Sequence, residues 1–235
     1  MTEIMGNIVI LTGAGISAES GLQTFRAADG LWEGHRVEDV ATPEAYRRNP
    51  ALVHEFYDAR RVRAAEVEPN AAHLALARLE AAWDGDFLLV TQNVDSLHER
   101  AGSARLIHMH GELNKGWCRT CDARFAWDGP LGEGARCGEC GEAGQVRPDI
   151  VWFGEMPYQM EAIEEALRRC DLFVSIGTSG AVYPAAGFVQ TAKYSGARAL
   201  EINLDPSMGS IFFDQHRHGP ASELVPKWVE ELIGA

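Results

Sequence analysis

A glycine-rich turn near the start of the chain constrains the possible fold more than any other feature. The apolar run Ile8–Leu11 is followed directly by G-A-G-I-S-A at residues 13–18. The spacing G-x-G-x-x-A is typical of a strand–turn–helix unit in which glycines let backbone amides approach a pyrophosphate and the helix N-terminus faces the phosphates. The motif is a weak signal on its own, and a glycine turn without a ligand is the alternative.

The segment after this turn differs from that of hydride-transfer enzymes. Those enzymes carry an acidic residue about 20 positions on, which holds the ribose. Residues 21–32 here predict a long loop with Phe25, Arg26 and Trp32 instead. We therefore expect a dinucleotide to be bound by a different pattern of contacts.

Short apolar runs along the chain predict the strands of a parallel sheet. Continuous apolar strands that alternate with helical segments are typical of α/β layer architectures. The fold class expected is α/β, with a Rossmann-like parallel sheet. The predicted strands are Ile8–Leu11, Phe87–Val90, Leu106–His108, Ile150–Phe153, Leu172–Ile176 and Ala199–Ile202.

Two segments interrupt the alternation, and we expect them to form a smaller lobe. Residues 35–80 predict a helical insertion, in which Thr42-Pro43 and Asn49-Pro50 each supply a cap residue and a proline at the first helical position, and Asn70 begins another helix. Residues 117–145 predict a glycine-rich, metal-binding module. The sheet domain then comprises residues 1–34, 81–116 and 146–235. Ligands of such folds bind at the carboxyl ends of the strands, so we expect a cleft between the lobes.

Four cysteines in the second insertion have the spacing of a metal site. Cys118 and Cys121 form one C-x-x-C pair, Cys137 and Cys140 form another, and fifteen residues separate the pairs. Four thiolates close a tetrahedral Zn²⁺ shell and leave no position for water, so the site would be structural. A redox dithiol and incidental cysteines are the alternatives.

Two polar clusters follow predicted strands. T-Q-N-V-D at 91–95 offers an amide and a carboxylate that can orient a ribose, a carboxamide or a water molecule. His110 follows the strand Leu106–His108 and precedes Gly111. A neutral imidazole at such a position can act as a general base near pH 7, although a histidine is also frequently a surface or core residue.

Charge and cysteine usage limit the possible partners and compartment. The net charge of −13 argues against nucleic acid, which needs a basic surface, and against anionic membranes. Residues 1–5 are not basic, and Ile8–Leu11 is too short for a signal or a membrane span. Cysteines paired at metal spacing favour a reducing compartment, so we expect a cytoplasmic protein. A local basic cluster at Arg60, Arg61 and Arg63 predicts either a solvated helix face or an anion pocket.

These motifs occur together, and in this order, in one known family. Over residues 6–232 the chain resembles the sirtuins, which are NAD-dependent protein-lysine deacylases. It is most similar to bacterial sirtuins of the CobB type, in the class that also includes desuccinylases. The motifs are G-A-G-I-S at 13–17, F-R at 25–26, T-Q-N-V-D at 91–95, H-G at 110–111, the two cysteine pairs, V-W-F-G-E at 151–155, G-T-S at 177–179 and I-N at 202–203.

The resemblance implies NAD and zinc as cofactors and acylated-lysine proteins or peptides as substrates. It implies that His110 is the general base and that Asn93 and Asp95 take part in catalysis. It implies that an extended peptide is held by β-augmentation between residues 151–155 and 180–183. The implied peptide contacts are Val151, Phe153, Gly154, Glu155 and Val182. The implied NAD contacts are Gly13, Ala14, Gly15, Ser17, Phe25, Arg26, Trp32, Gln92, Asn93, Val94, Asp95, Gly177, Thr178, Ser179, Asn203, Leu204, Asp205 and Ala221.

A mechanism also follows from the resemblance. The amide oxygen of acyl-lysine attacks the ribose carbon that bears nicotinamide, and nicotinamide leaves. His110 removes a proton from a ribose hydroxyl, which then attacks the imidate carbon. Water completes the reaction and releases lysine and O-acyl-ADP-ribose.

A tyrosine and an arginine indicate the acyl preference. Tyr57 and Arg60 lie three residues apart on a predicted helix and therefore share one face. A phenol beside a guanidinium can bind a carboxylate, whereas a packed tyrosine next to an exposed arginine is the alternative. The pair coincides with the Tyr-x-x-Arg of desuccinylating sirtuins, which implies acceptance of succinyl and malonyl groups as well as acetyl.

Two other functions stay open at this point. ADP-ribosyl transfer to protein would share the cleavage of NAD but would not need an acyl pocket. A non-catalytic NAD-sensing or zinc-ribbon module would not need Asn93, Asp95 and His110. We expect a monomeric deacylase.

Overall fold

The computed structural model describes residues 6–23, 31–32 and 34–234. In this part of the chain the strands are β1 (Ile8–Thr12), β2 (Leu31–Trp32), β3 (His35–Arg36), β4 (Phe87–Thr91), β5 (Leu106–His108), β6 (Gly111–Cys118), β7 (Arg124–Ala126), β8 (Val146–Ile150), β9 (Leu172–Ile176), β10 (Arg198–Asn203) and β11 (Gln215–His218). The α-helices are α1 (Ala14–Ala18), α2 (Val37–Val40), α3 (Pro43–Arg48), α4 (Pro50–Glu66), α5 (Ala71–Ala82), α6 (Leu97–Ala101), α7 (Met160–Arg169), α8 (Phe188–Tyr194) and α9 (Ala221–Ile233).

A six-stranded parallel sheet forms the large domain. Its strand order is β11-β10-β9-β1-β4-β5, with β1 between β4 and β9. This is the doubly wound order in which successive strands run outward from a central first strand in both directions. The direction changes at β1, so the loops after β1 and β9 adjoin a crevice at the carboxyl edge. The predicted α/β fold is confirmed.

Both faces of this sheet are covered, which explains the continuous apolar strands. Ile8 and Ile10 pack with α5 and α9 on one face. Val9 and Leu11 pack with α7 and α8 on the other. Since strand side chains alternate between faces, a strand buried on both sides must be apolar throughout.

The smaller lobe combines helices α2 to α4 with a three-stranded antiparallel sheet of order β7-β6-β8. The predicted caps are confirmed: Thr42 Oγ1 accepts from Ala45 N at 3.0 Å, and Asn49 Oδ1 accepts from Leu52 N at 3.2 Å. Phe56 and Tyr57 of α4 lie in the buried core that joins the helices to this sheet.

The predicted parallel strand Ile150–Phe153 is wrong. The strand of this region is β8, which ends at Ile150 and pairs antiparallel with β6. The apolar residues that follow form a turn, and Trp152 is buried in the core of the small lobe. The apolar run therefore reflects burial against helices.

Two further elements differ from the predictions. The predicted insertion 35–80 includes most of α5, whose Leu76 and Leu79 lie in the core of the large sheet. Strand β11 was not predicted, because Gln215–His218 is polar and lies at the edge of the sheet. None of the helices in the described ranges is long and apolar enough to cross a membrane.

Candidate active site

A cavity of about 500 Å³ lies at the carboxyl ends of the main-sheet strands and extends to the small lobe. It brings together residues predicted from every part of the chain. Nearly all the predicted NAD, catalytic and substrate residues line it: Gly13, Ala14, Gly15, Ser17, Trp32, Tyr57, Arg60, Gln92, Asn93, Val94, Asp95, His110, Val151, Phe153, Gly154, Glu155, Gly177, Thr178, Ser179, Val182, Asn203, Leu204 and Asp205.

Three predicted residues stand apart from this set. Ala221, at the start of α9, is buried in the core beneath the sheet and is not among the residues that line the cavity. Phe25 and Arg26 lie outside the described residues.

The glycines at the head of the cavity are required by contact between two backbone loops. Gly15 N donates to Gly177 O at 2.8 Å. A Cβ on Gly15 would lie 2.7 Å from Gly177 Cα, and Gly177 itself has a φ of +62°. Close approach of the loops after β1 and β9 therefore adds a second reason for glycine to the predicted approach of a phosphate.

A buried polar network fixes Asn93 and Asp95 behind the glycine turn. Asn93 Nδ2 donates to Gly13 O and to Ser17 Oγ, both at 3.1 Å. Ser17 Oγ donates to Asp95 Oδ2 at 3.1 Å, and Leu97 N donates to Asp95 Oδ1 at 3.1 Å. Burial raises the pKa of Asp95, although these two hydrogen bonds oppose the increase. The network orients both side chains before any ligand binds.

Two residues of this network were not predicted as site residues. His73 lies behind Ser17, with Nε2 3.5 Å from Ser17 Oγ, and its Nδ1 accepts from Asn70 N. Asn70 Nδ2 also donates to Ile16 O at 2.8 Å. The sequence predicted that Asn70 begins a helix, but the contacts of Asn70 and His73 with the glycine turn span more than fifty residues.

His110 has the geometry of a general base. Its Nδ1 lies 3.2 Å from Gln92 O, and because a carbonyl can only accept, Nδ1 carries the proton and Nε2 keeps its lone pair. Burial lowers the pKa of His110, with the Gln92 hydrogen bond opposing, so the ring is neutral at pH 7. Gly111 has a φ of +83°, and a Cβ there would lie 2.0 Å from Asp149 O. The His-Gly pair thus marks the chain's passage from the large sheet to the small one.

The Gln92 side chain carries a buried hydrogen-bond donor at the cavity. Gln92 Nε2 is buried and has no hydrogen-bond partner among the described residues. A buried amide without a partner is costly, so this donor indicates that a polar group binds beside it. The residues around it suit the ribose and carboxamide of NAD, which offer hydroxyl and carbonyl oxygens.

The far end of the cavity is built from the loops after β9 and β10. Asn203 Nδ2 donates to Thr178 O at 2.8 Å, and Met208 N donates to Ser179 O at 3.0 Å. These bonds join the two loops on which the predicted adenosine contacts lie. Ser207 and Met208 also line this end and were not predicted.

Tyr57 and Arg60 line the other end of the cavity together with two tryptophans. Tyr57 is fully buried, and its hydroxyl accepts from Trp152 Nε1 at 3.0 Å. Burial raises the pKa of Tyr57, so the phenol stays neutral and able to donate. The Arg60 guanidinium lies 4.0 Å from the ring centroid of Trp32, a cation–π contact. A cation and a phenol therefore line the same cavity, each beside an indole ring.

The segment 151–155 forms part of the cavity wall. Val151 N donates to His110 O, and Phe153 N donates to Ala41 O. Glu155 pairs with the buried Arg147 at 2.7 Å and also accepts from Trp152 N. The Glu155 side chain thus holds the turn in place, and pairing of a peptide along this segment stays a prediction.

The four cysteines converge, as expected for a metal centre. Their sulfur atoms all lie within 4.8 Å of one another. Cys118 Sγ and Cys140 Sγ are 3.7 Å apart, and Cys121 Sγ and Cys137 Sγ are 3.6 Å apart. Tetrahedral Zn²⁺ with Zn–S bonds of 2.3 Å requires sulfurs about 3.8 Å apart. The geometry fits a closed zinc site.

Comparisons with known proteins agree with this arrangement. The Sir2 family model matches residues 13–184. An NAD-dependent protein deacylase of Bdellovibrio bacteriovorus is 59% identical over 229 residues, which cover 97% of this chain and 97% of that protein. A solved complex of a Sir2 homologue with NAD has a TM-score of 0.87 at 38% identity, covering 96% of this chain and 88% of that one. A Sir2 complex with a p53 peptide and NAD⁺ has a TM-score of 0.80 at 28% identity, covering 96% and 92%.

Proposed function

Because this chain belongs to the Sir2 family and is an NAD-dependent protein-lysine deacylase of the bacterial sirtuin type, we propose that it removes acetyl and acidic acyl groups through the residues gathered at the cavity. The products are nicotinamide, O-acyl-ADP-ribose and free lysine. The observation that carries the assignment of roles is the neutral His110, oriented by Gln92 O beside the buried, unpartnered Gln92 amide.

NAD supplies a ribose carbon that accepts the acyl oxygen as nicotinamide departs. The glycine turn at Gly13 and Gly15 holds its phosphates, and Thr178, Ser179 and Asn203 hold the adenosine end. Gln92 Nε2 donates to the nicotinamide-ribose portion. Asn93 and Asp95, fixed through Ser17, orient this portion so that its reactive face points to the acyl-lysine.

His110 accepts a proton at Nε2. Its proton on Nδ1 is held by Gln92 O, so the ring presents a lone pair and, once protonated, keeps its orientation. The group deprotonated would be a ribose hydroxyl, which would attack the acyl carbon. Water would complete the reaction as the bond between that carbon and the lysine nitrogen breaks. The lowered pKa of His110 keeps the base available at neutral pH.

Tyr57 and Arg60 receive the distal carboxylate of succinyl or malonyl groups. Both line the cavity, where the indole of Trp32 lies against Arg60 and the indole of Trp152 donates to Tyr57. In such a setting a charge-assisted hydrogen bond is strong. Acetyl groups occupy the same pocket without that contact.

An acylated peptide reaches this pocket along the exposed segment that contains Phe153 and Gly154, and Val182 also lines the cavity. A related Sir2 protein has been solved with a p53 peptide and NAD⁺, which supports a peptide substrate. The protein works as a monomer and without nucleic acid, in keeping with its net charge of −13.

Mass spectrometry of reactions that contain NAD with acetyl- and succinyl-lysine peptides tests this function. We expect nicotinamide, deacylated peptide and O-acyl-ADP-ribose in equal amounts. Protein that gains the mass of ADP-ribose while the acyl-peptide is unchanged would show ADP-ribosyl transfer instead. The absence of any NAD turnover by zinc-loaded protein would exclude catalysis.

A further inference from the structure

A second cluster of ligand-type side chains lies at the outer edge of the main sheet, away from the cysteine quartet. It consists of Glu201 on β10 with His216 and His218 on β11. Glu201 and His216 are paired in the register of these two parallel strands, and His218 follows two residues later. Alternation along strands therefore places all three side chains on one face.

The cluster has the exposure pattern of a prepared binding site. Glu201 is 1% exposed, whereas both histidines are exposed. Ser207 N donates to Glu201 Oε1 at 3.3 Å, and Ser210 Oγ donates to Glu201 Oε2 at 2.6 Å. These bonds fix the carboxylate while the imidazoles remain accessible from solvent, so an ion could enter from the histidine side.

The separations within the cluster suit a shared ion better than direct hydrogen bonds. Glu201 Oε2 lies 3.4 Å from His216 Nδ1 and 3.5 Å from His218 Nε2. Good N–H···O bonds are shorter, about 2.7–3.2 Å. A tetrahedral ion with ligand bonds of 2.0–2.1 Å separates its donor atoms by about 3.4 Å. The carboxylate–histidine contact between Glu99 and His108 is much shorter. Its Nε2–Oε1 distance is 2.6 Å, which is that of a direct hydrogen bond.

The donor set selects the class of ion. Two imidazoles and one carboxylate suit borderline first-row metals such as Zn²⁺, Co²⁺ and Ni²⁺, whereas Mg²⁺ and Ca²⁺ prefer oxygen ligands. Three protein ligands leave a fourth position for water or for Ser210, whose Oγ lies 3.2 Å from His216 Nδ1. We propose that Glu201, His216 and His218 form a second transition-metal site, distinct from the four-cysteine centre.

This site is connected to the cavity by a single short loop. Glu201 accepts a hydrogen bond from the backbone N–H of Ser207. Ser207 and Met208 in turn line the predicted adenosine end of the cavity. An ion on Glu201 would add a cross-link between β10 and β11 at the base of that loop. Occupancy is therefore expected to stabilise the edge of the sheet, independently of which reaction the cavity carries out.

Titration of zinc-loaded protein with additional Zn²⁺, followed by calorimetry, tests the proposal. Wild-type protein should bind one further Zn²⁺ per chain and show a higher melting temperature. Loss of a metal ligand should lower the affinity by at least about tenfold, so His216→Ala and His218→Ala should each weaken this second binding event. Both histidines are exposed, so these variants are expected to fold normally. Glu201→Gln should weaken the second binding event as the histidine variants do, provided that its melting temperature without added metal is near that of the wild type.

Two controls separate this site from general metal binding. Gln215→Ala changes a neighbouring exposed residue of β11 and should bind like the wild type, as should His35→Ala on the distant β3. With Co²⁺ as probe, the second site should show no thiolate charge-transfer bands, which would mark the cysteine centre. The proposal is wrong if wild-type protein takes up no second ion, if both histidine variants bind it as tightly as the wild type, or if all cobalt absorption is of the thiolate type.

Discussion

Three arginines close together in the sequence have three different environments. Arg60 lines the cavity and stacks on Trp32. Arg61 is buried and donates to Leu113 O at 2.8 Å and to Gly129 O at 2.9 Å, so it ties α4 to the small sheet and the zinc module. Arg63 is exposed and pairs with Glu66 at 3.3 Å. The solvated face, one of the two alternatives that the sequence left open, thus describes Arg63, and an anion pocket at Arg60 stays a prediction.

This division gives a matched test of acyl selectivity. Arg60→Met should lower kcat/KM on a succinyl-peptide by about one to two decades, because a hydrogen bond to a charged group contributes about 1.5–3 kcal/mol. Activity on the matched acetyl-peptide should change little. Arg63→Met, one turn away and exposed, serves as the control and should leave both activities unchanged. Equal losses on the two peptides in Arg60→Met would mean that the arginine is structural.

Tyr57→Phe should share the loss of desuccinylation, with an additional effect on stability. The Tyr57 hydroxyl accepts from Trp152 Nε1, and its removal leaves a buried indole N–H without a partner. Such a group costs about 1–3 kcal/mol, so the free energy of unfolding should fall by that amount. Kinetics on both peptides, together with a urea melt, separate the two effects. A variant with wild-type stability would indicate that the Trp152 hydrogen bond does not form.

His110→Ala should lower turnover by at least about 100-fold, the usual scale for a general base. Its affinity for ADP-ribose should be retained, because the loops proposed to hold the phosphates and adenosine do not involve His110. For the wild type, the acidic limb of the kcat/KM profile should lie below pH 6.5, since burial lowers the pKa of His110. Near wild-type turnover in a folded His110→Ala protein would remove this residue from the mechanism.

At the scale of elements, the zinc module depends on its metal more than on its own core. The apolar set around the cysteines is small, with Ala135 and Val146 buried and Phe125, Trp127 and Leu131 packed against them. So few apolar side chains contribute little free energy of folding, and a structural metal ordinarily supplies the remainder. The module also carries the Gly129 carbonyl to which Arg61 of α4 donates, so unfolding of the module would remove a contact that stabilises α4.

Cys137→Ala should therefore lose zinc and destabilise the small lobe, while the large sheet stays folded. Elemental analysis gives the zinc content, and hydrogen exchange should show reduced protection in β6, β7 and β8. Cys170→Ala is the control, because Cys170 is buried in the large-domain core, away from the quartet, and this variant should keep its zinc. Active, freshly purified wild-type protein without zinc would contradict a structural role for the metal.

The parts of the fold that could be predicted are those determined locally. Strands buried on both faces must be apolar, and helices begin where Thr42 or Asn49 precedes proline. Strand β11 gave no such signal, because an edge strand can be polar. The run after Ile150 was misassigned, because an apolar segment does not show whether it is buried by a sheet or by helices. The contact of His73 with Ser17 was missed for another reason: the two residues are 56 positions apart in sequence.

At the scale of the whole molecule, two buried histidines, His73 and His98, should make the free energy of unfolding depend on pH. Burial lowers the pKa of His73 to about 4, and burial, together with the nearby His73 and His108, lowers that of His98 well below its usual value. In the unfolded chain both titrate near 6.5. Above that pH neither state binds the proton. Between 6.5 and the folded pKa only the unfolded state binds it, so stability falls as the pH falls.

Each such histidine should contribute about 1.4 kcal/mol per pH unit to this loss. Urea melts between pH 7 and pH 5 measure the slope in a range above that in which most carboxylates titrate. Burial lowers the pKa of His108, but the hydrogen bond and charge of Glu99, with smaller contributions from Asn93 O and Glu112, together raise it. The contribution of His108 therefore changes above pH 6.5, and the slope is taken from the melts below pH 6.5. His98→Gln can keep a hydrogen bond to Thr12, whose Oγ1 lies 3.0 Å from His98 Nε2, but it cannot take up a proton. Its slope should be smaller than that of the wild type by about 1.4 kcal/mol per pH unit, and equal slopes would show that His98 is not held neutral by the fold.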